Sequence, residues 1–147
     1  MTATRRTARE WAIQMLTAAD LNPPDDVRGF IDAYWDQAAG LEEEFGGPVV
    51  AKGKLKAFAE ERVVGVLDSM KEIDAAIIPL LDHWDLYRLG TVERMVLRMG
   101  AWELQNTDIP RAVCINEAID LANWFSSPKS RTLINAVLDK FAKGLAK

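Results

Sequence analysis

The sequence predicts an all-α fold, with about seven helices forming a single domain over residues 1–147. Apolar residues recur at spacings of three and four in several separate blocks, which is the period of an amphipathic helix. Prolines and glycines separate these blocks. No segment shows the strict alternation of apolar and polar residues that a half-buried β-strand requires. With 49% hydrophobic residues, the chain can bury a core without a metal or a disulfide.

The first predicted helix covers residues 4–19 and carries a basic edge. At 100° per residue, Arg5, Arg6 and Arg9 fall within an arc of about 100° beside the apolar stripe of the helix. Residues 22–24, Asn-Pro-Pro, end the helix because neither proline can continue its hydrogen-bond ladder. The apolar stripe itself consists of Ala8, Ala12, Met15, Leu16 and Ala19.

The second predicted helix begins at Asp25 and Asp26, whose carboxylates suit the positive end of a helix. Gly40 is expected to end it at about residue 39, because glycine readily adopts the left-handed conformation of a helix terminus. Residues 42–54 contain three glycines and a proline, and they are predicted to form a loop.

The third and fourth predicted helices cover residues 55–69 and 71–84. Pro79 should kink or interrupt the fourth, because it cannot donate a backbone hydrogen bond. A fifth helix is predicted over residues 91–105, with Thr91 as the N-cap whose hydroxyl accepts from the first turn.

Residues 108–110, Asp-Ile-Pro, turn the chain into a sixth predicted helix over residues 116–125, which Asn116 is expected to cap. Ser127 is then the N-cap of the last helix and Pro128 its first residue, a position that the fixed φ angle of proline favours. The last helix is predicted to end at about residue 143.

Composition and charge exclude several classes of protein. The net charge is −4, so any nucleic-acid contact must come from a local basic face. The lone Cys114 cannot form an internal disulfide and fits a reducing compartment. No apolar run reaches the 18 residues of a membrane span, and Arg9 and Glu10 interrupt the stretch where a secretory signal would be apolar. We therefore expect a cytoplasmic protein with no membrane segment.

No motif in the sequence supports catalysis or metal binding. Cys114 and His83 fall in different predicted elements, and nothing indicates an oxyanion site for such a pair. Asp82, His83 and Asp85 resemble a metal cluster only superficially, because no further close ligand follows at helical spacing. No phosphate-binding glycine loop or dinucleotide fingerprint is present. The expectation is a protein that is not an enzyme and that carries no cofactor and no metal.

Several polar residues interrupt the apolar pattern of residues 89–140. Polar groups that are buried must find partners, so we expect structural hydrogen bonds at these positions. Arg98 and Glu103 are five residues apart on one helix, so their partners should lie on other helices. The full set is Arg94, Arg98, Glu103, Asn116, Glu117 and Asn135.

An ordered set of short motifs runs through the whole chain. In this order the motifs resemble the NusB family, the bacterial factors of transcription antitermination on ribosomal RNA operons. The resemblance is weakest over residues 22–54. The motifs are Arg5-Arg6-x-Ala8-Arg9-Glu10, Trp84-x-Leu86-x-Arg88-Leu89, Val92-Glu93-Arg94-x-Val96-Leu97-Arg98, Glu103-Leu104, Ile109-Pro110, Ile115-Asn116-Glu117-Ala118 and Asn135-x-Val137-Leu138-Asp139.

The resemblance implies an all-helical fold of two packed helical subdomains. It implies binding to the boxA element of the ribosomal RNA leader together with NusE, a protein of the small ribosomal subunit, within the antitermination complex of RNA polymerase. Both monomers and homodimers that mask the RNA face occur in the family, and either state is compatible with this sequence. A related domain is fused to ribosomal RNA cytosine methyltransferases, and a chain of 147 residues is expected to belong to the branch without that domain.

The resemblance and the local chemistry together suggest which residues bind RNA. The family has an arginine-rich N-terminus that contacts RNA, and arginine neutralises phosphates of single-stranded RNA. The start of the last helix offers backbone N–H groups and basic side chains, which also suit a phosphate. The residues expected to contact RNA are Arg5, Arg6, Arg9, Lys129, Ser130 and Arg131.

The resemblance places NusE docking near the entry to the fifth helix, where Tyr87 and Arg88 are candidates for partner binding. Trp84 in the same connection is expected to be a hydrophobic plug. Two alternatives to RNA binding are a helical protein-interaction scaffold without RNA binding and a small hydrolase that uses Cys114. Removal of the N-terminal arginines separates the scaffold from the RNA-binding factor.

Overall fold

A computed structural model describes residues 4–45, 53–123 and 127–145, and within these ranges the chain is helical and contains no β-strand. The all-α prediction is therefore confirmed. No helix in these ranges is long and apolar enough to cross a membrane. Two short 3₁₀ turns, Ile78–Leu80 and Leu86–Arg88, also lie within these ranges. The α-helices are α1 Arg5–Leu21, α2 Val27–Phe45, α3 Gly53–Asp68, α4 Met70–Ile77, α5 Thr91–Asn106, α6 Arg111–Asn123 and α7 Pro128–Gly144.

The chain divides into two compact units, unit 1 over residues 1–64 and unit 2 over residues 65–147. The division falls inside α3, which runs through the boundary as one continuous helix. Unit 1 contains α1, α2 and most of α3, whereas unit 2 contains the four helices that follow. The resemblance implied two helical subdomains, and the fold has two helical units.

Unit 1 has a core of apolar residues from α1, α2 and α3. The predicted apolar stripe of α1 is buried along its whole length. Trp35 of α2 is buried, and its indole N–H donates to Glu60 Oε1 at 2.8 Å. Arg28 donates to the same carboxylate at 2.9 Å. The bond from Arg28, and next the bond from Trp35, lower the pKa of Glu60 below its ordinary value.

Unit 2 is built around α5. Every residue from Arg94 to Leu104 is buried, so this helix is covered on all sides rather than on one stripe. α5, α6 and α7 pack against one another. Gly100 lets α7 approach closely, because a Cβ at this position would lie 2.8 Å from Leu138 Cδ1.

Two predicted helix ends are wrong. α2 continues through Gly40 to Phe45, because a glycine inside a helix lowers its stability by only about 1 kcal/mol and does not by itself end it. Part of the predicted loop, residues 46–52, lies outside the described residues. α4 ends at Ile77 instead of continuing to residue 84, and Pro79 lies in the 3₁₀ turn that follows. Proline therefore interrupts the helix rather than kinking it.

Two predicted N-caps are also wrong. Gly90 is the N-cap of α5, and Thr91 is its first helical residue. α6 begins at Arg111, because the carbonyl of Pro110 already accepts bonds from the backbone N–H groups two and three residues beyond Arg111. Asn116 consequently lies in the middle of α6 and is exposed.

Candidate nucleic-acid interface

The first turn of α1 is fixed by a reciprocal pair of threonines. The Thr4 hydroxyl accepts from the backbone N–H of Thr7 at 3.3 Å, and the Thr7 hydroxyl accepts from the backbone N–H of Thr4 at 3.2 Å. Such a capping box satisfies two backbone donors that a helix terminus would otherwise expose. Arg5 and Arg6 follow directly and are both exposed. The start of α1 therefore presents two cations on an ordered backbone.

Arg9 does not belong to this exposed edge. Only 3% of the residue is accessible to solvent. Its guanidinium carbon lies 5.1 Å from the centroid of the Phe58 ring on α3. The predicted basic edge of Arg5, Arg6 and Arg9 is therefore exposed at Arg5 and Arg6 only, because at Arg9 it faces α3 and presents almost no surface to a phosphate.

Phe58 is the centre of a cluster that contains three arginines, here called the Phe58 cluster: Arg5, Arg9, Arg62 and Phe58 itself. The guanidinium carbons of Arg5 and Arg62 lie 5.6 Å and 3.4 Å from the ring centroid. Arg62 is 2% exposed and donates to the Phe58 carbonyl at 3.2 Å. The sequence interpretation missed Arg62. The available signal was its spacing, since Phe58 and Arg62 are four residues apart on one predicted helix and must share a face.

The start of α7 differs from the simple phosphate site that the sequence suggested. Ser127 caps the helix by accepting from the backbone N–H of Ser130 at 3.3 Å. The Ser130 hydroxyl donates to Glu93 Oε2 at 2.8 Å, so a carboxylate already lies at this turn. Lys129 is exposed, and its ammonium lies 5.5 Å from the ring centroid of Trp84. Arg131 is half-buried, which leaves Lys129 as the more accessible cation of this turn.

The connection into α5 presents an aromatic and a cationic side chain. Tyr87 is 64% exposed, and Arg88 is also exposed. The hydroxyl of Tyr87 donates to Asp74 Oδ2 at 3.4 Å, which ties the exposed ring to α4. Trp84 is 45% exposed, so the expectation of a buried plug is wrong.

A cleft of about 630 Å³ lies beside Tyr87 in unit 2. Its lining combines apolar and charged side chains. The lining residues are Leu67, Asp68, Met70, Lys71, Glu72, Asp74, Ala75, Ile78 and Tyr87.

Arg98 and Asp74 form a buried ion pair in unit 2. Arg98 Nε donates to Asp74 Oδ1 and Nη2 donates to Oδ2, both at 2.8 Å. This two-pronged geometry joins α5 to α4 and matches the planar guanidinium to the planar carboxylate. Arg94 is also buried and donates to the carbonyl of Leu89 at 3.2 Å. Glu103 is 1% exposed.

The other polar residues singled out in the sequence are less buried. Glu117 is half-buried, whereas Asn116 and Asn135 are exposed. The argument that buried polar groups need partners therefore does not apply to these two asparagines, and structural hydrogen bonds at both positions stay a prediction. Cys114 is buried with its Sγ 3.7 Å from the carbonyl oxygen of Ile109, whereas His83 is exposed.

The chain matches known proteins along most of its length. The model of the NusB family matches residues 6–143. The transcription antitermination protein NusB of Sorangium cellulosum is 37% identical over 144 residues, covering 97% of this chain and 94% of the relative. The NusB of Campylobacter jejuni strain RM1221 is 36% identical over 141 residues, covering 96% and 97% of the two chains.

Solved structures agree with the sequence relatives. A T. maritima NusB structure superposes with a TM-score of 0.80 at 29% identity, covering all of this chain and 96% of the other. The matched chain in a crystal structure of antitermination factors NusB and NusE in complex with dsRNA gives a TM-score of 0.72 at 24% identity, and this likeness shows the fold. It covers 96% of this chain and 97% of that chain.

Proposed function

The chain belongs to the NusB family, and on that premise we propose that it is a transcription antitermination factor that binds the boxA element of ribosomal RNA leader transcripts together with NusE. The match over residues 6–143 carries this proposal. In this role the protein joins the antitermination complex of RNA polymerase and helps the polymerase to pass terminators. It works in the cytoplasm as a non-catalytic binding protein.

Arg5 and Arg6 are the proposed primary RNA contacts. Both are exposed, and both lie on a first helical turn that the capping box holds in place. Guanidinium groups can hold phosphate oxygens through two parallel hydrogen bonds and can also stack on bases. Arg9 is buried beneath this surface, beside the Phe58 ring. A second RNA contact is proposed on unit 2, at Lys129, Ser130 and Arg131.

The connection that contains Tyr87 and Arg88 is the proposed surface for NusE. An exposed aromatic ring beside an arginine is the combination that is enriched at protein interfaces. The bond from Tyr87 to Asp74 restricts the ring before binding, so less conformational freedom is lost when a partner docks.

Shared recognition is the proposed mechanism. The protein and NusE each make part of the contact with one RNA, so binding of one places the other at a high effective concentration. The assembly can therefore be tight although the net charge of this chain is −4 and its basic surface is small. No conformational switch is needed for this gain.

The test is fluorescence anisotropy of a labelled boxA RNA, with a scrambled RNA of the same composition, titrated with and without NusE. We expect a preference for boxA that becomes stronger when NusE is present. If about four phosphates are neutralised, the logarithm of the affinity should fall with the logarithm of the salt concentration with a slope of roughly −3. Equal weak binding to both RNAs, unaffected by NusE, would instead favour the protein-interaction scaffold.

A charge-matched control separates contact from overall charge. Arg5→Gln should weaken boxA binding strongly while the far-UV circular dichroism stays helical. Arg28→Gln removes a cation from the same unit, but its guanidinium is held by Asp32 and Glu60, so boxA affinity should change little. Similar losses of boxA affinity in Arg28→Gln and in Arg5→Gln would show that only net charge matters.

A further inference from the structure

The Phe58 cluster unites two arginines of α1 with one arginine of α3 around a single ring. We propose that Phe58 and Arg62 are positioning residues that orient the guanidinium of Arg5 for the RNA phosphate. This inference rests on the proposed RNA-binding function of α1. It assigns to α3 a role in RNA binding that the sequence alone did not suggest.

Arg62 is the arginine of the Phe58 cluster that lies nearest to the ring. Its guanidinium lies 3.4 Å from the ring centroid, which is the distance of a planar group in direct contact with the face of the ring. Its bond to the Phe58 carbonyl, at 3.2 Å, restricts the same group along the helix. Because Arg62 is 2% exposed, it cannot itself reach an RNA phosphate. Its contribution to RNA binding must therefore pass through the ring.

The Phe58 ring in turn connects Arg62 to the exposed end of α1. Arg9 approaches it to 5.1 Å and Arg5 to 5.6 Å, both within the range of an attractive cation–ring contact. Arg5 is the one arginine of the Phe58 cluster that is exposed, so it can touch the ring with one part of its surface and a phosphate with another. A flexible arginine would lose this freedom on binding, whereas one already held by a ring loses less.

The test compares variants of Phe58 in the full chain, with labelled boxA RNA and NusE present. Phe58→Leu should weaken RNA binding about fivefold, because the contacts that hold Arg5 are lost. Phe58→Tyr keeps the ring and should stay within about twofold of the wild type. Phe141→Leu is the matched control, since it makes the same change at a buried phenylalanine of unit 2 and should leave RNA affinity unchanged. Thermal unfolding of each variant shows that it is folded at the assay temperature.

A double-variant cycle distinguishes positioning from general loss of structure. Arg5→Gln should lower RNA affinity about tenfold and reduce the salt slope by about 0.7, the share of one phosphate contact. Phe58→Leu should reduce the slope by the same amount, and it should have little further effect when Arg5→Gln is already present. A merely destabilising substitution would leave the slope unchanged.

Each outcome either supports or contradicts the positioning role of Phe58. If Phe58→Leu binds boxA as the wild type does, or if its effect adds in full to that of Arg5→Gln, the positioning role is wrong while RNA binding by α1 stands. If the wild-type protein shows no preference for boxA with NusE, the proposed function fails and the positioning role fails with it. Weaker RNA binding in Phe58→Leu, with Phe58→Tyr close to the wild type, supports both the positioning role and the proposed function.

Discussion

At the level of single residues, the Arg98–Asp74 pair shows how burial changes the value of an interaction. Arg98 is 3% exposed, and the carboxylate that it binds lies on another helix of the same unit. Moving either charge out of water is unfavourable, and the two-pronged bond offsets that loss only while both partners remain. The pair therefore specifies how α4 meets α5, although its net contribution to stability is small compared with the loss that follows when one partner is removed.

Removal of one partner should be much more harmful than removal of both. Arg98→Ala should lower the free energy of unfolding by about 3 kcal/mol, because Asp74 is left buried without its cation. Lys140→Ala, which breaks an exposed pair with Asp82, should lower it by less than about 1 kcal/mol. Urea denaturation followed by circular dichroism measures both. The double variant Asp74→Leu/Arg98→Leu should recover part of the loss, and a double variant that is less stable than Arg98→Ala would contradict this account.

The sequence identified the arginines that could bind RNA, but it did not show which helices pack against them. The arginines at positions 5 and 6 lie on the surface, as expected from their place beside the apolar stripe. Arg9 has the same residue type and nearly the same helical angle, yet α3 covers it. Helical periodicity gives the direction of a side chain but not the elements that pack against it. The shared face of Phe58 and Arg62 could therefore be predicted, but the packing of Arg9 against that face could not.

At the level of helices, the glycines show where close packing depends on a missing side chain. A Cβ on Gly65 of α3 would lie 2.3 Å from atoms of the Trp102 ring, whereas a Cβ on Gly144 of α7 meets nothing within 4 Å. Both residues belong to unit 2. Alanine favours a helix over glycine by about 1 kcal/mol at an interior position such as Gly65, and by less at Gly144, the last residue of α7. Helix propensity therefore favours alanine at both positions, and only Gly65 meets a neighbouring side chain.

Gly65→Ala should destabilise the protein, because the rigid indole ring must shift and overpacking of this kind lowers stability by about 1–3 kcal/mol. Gly144→Ala should be neutral or slightly stabilising, since only the propensity changes. The midpoint temperatures of thermal unfolding show whether each variant is more or less stable than the wild type. Equal midpoints for the two variants would mean that Trp102 moves aside freely. The fluorescence of Trp102 provides a second measure, which should change in Gly65→Ala alone.

Helix existence was predictable from sequence, and helix ends were predictable only in part. Ser127 caps α7 with Pro128 as its first residue, as the sequence indicated. The end of α2 and the start of α6 were misplaced, because the first depends on whether a glycine adopts a positive φ angle and the second on a bond to a proline carbonyl. Both are decided by the backbone conformation of one residue, which composition and periodicity do not report.

At the level of the whole molecule, the ordered motifs identified the fold because they extend through both units. Their order along the chain restricts the fold more than any single motif does. The division at residues 64 and 65, in contrast, leaves no mark in the sequence, since neither a linker nor a change of composition occurs inside α3. Compact units are usually separated at exposed, flexible segments. A boundary within a continuous helix instead links the stability of the units on either side.

The two units should consequently unfold in one transition. If unit 1 melted alone, α3 would end at the boundary, and the remaining residues 65–68 are far fewer than the roughly 12–15 that an isolated helix needs. Protein labelled with 5-fluorotryptophan tests this by ¹⁹F NMR in urea, with Trp11 and Trp35 reporting on unit 1 and Trp84 and Trp102 on unit 2. We expect coincident midpoints for these four of the five tryptophan signals, which single Trp→Phe variants assign. Loss of the unit 1 signals at a lower urea concentration, while the signal of Trp102 keeps its folded position, would show that α3 does not couple the units and that 1–147 is two domains in the thermodynamic sense.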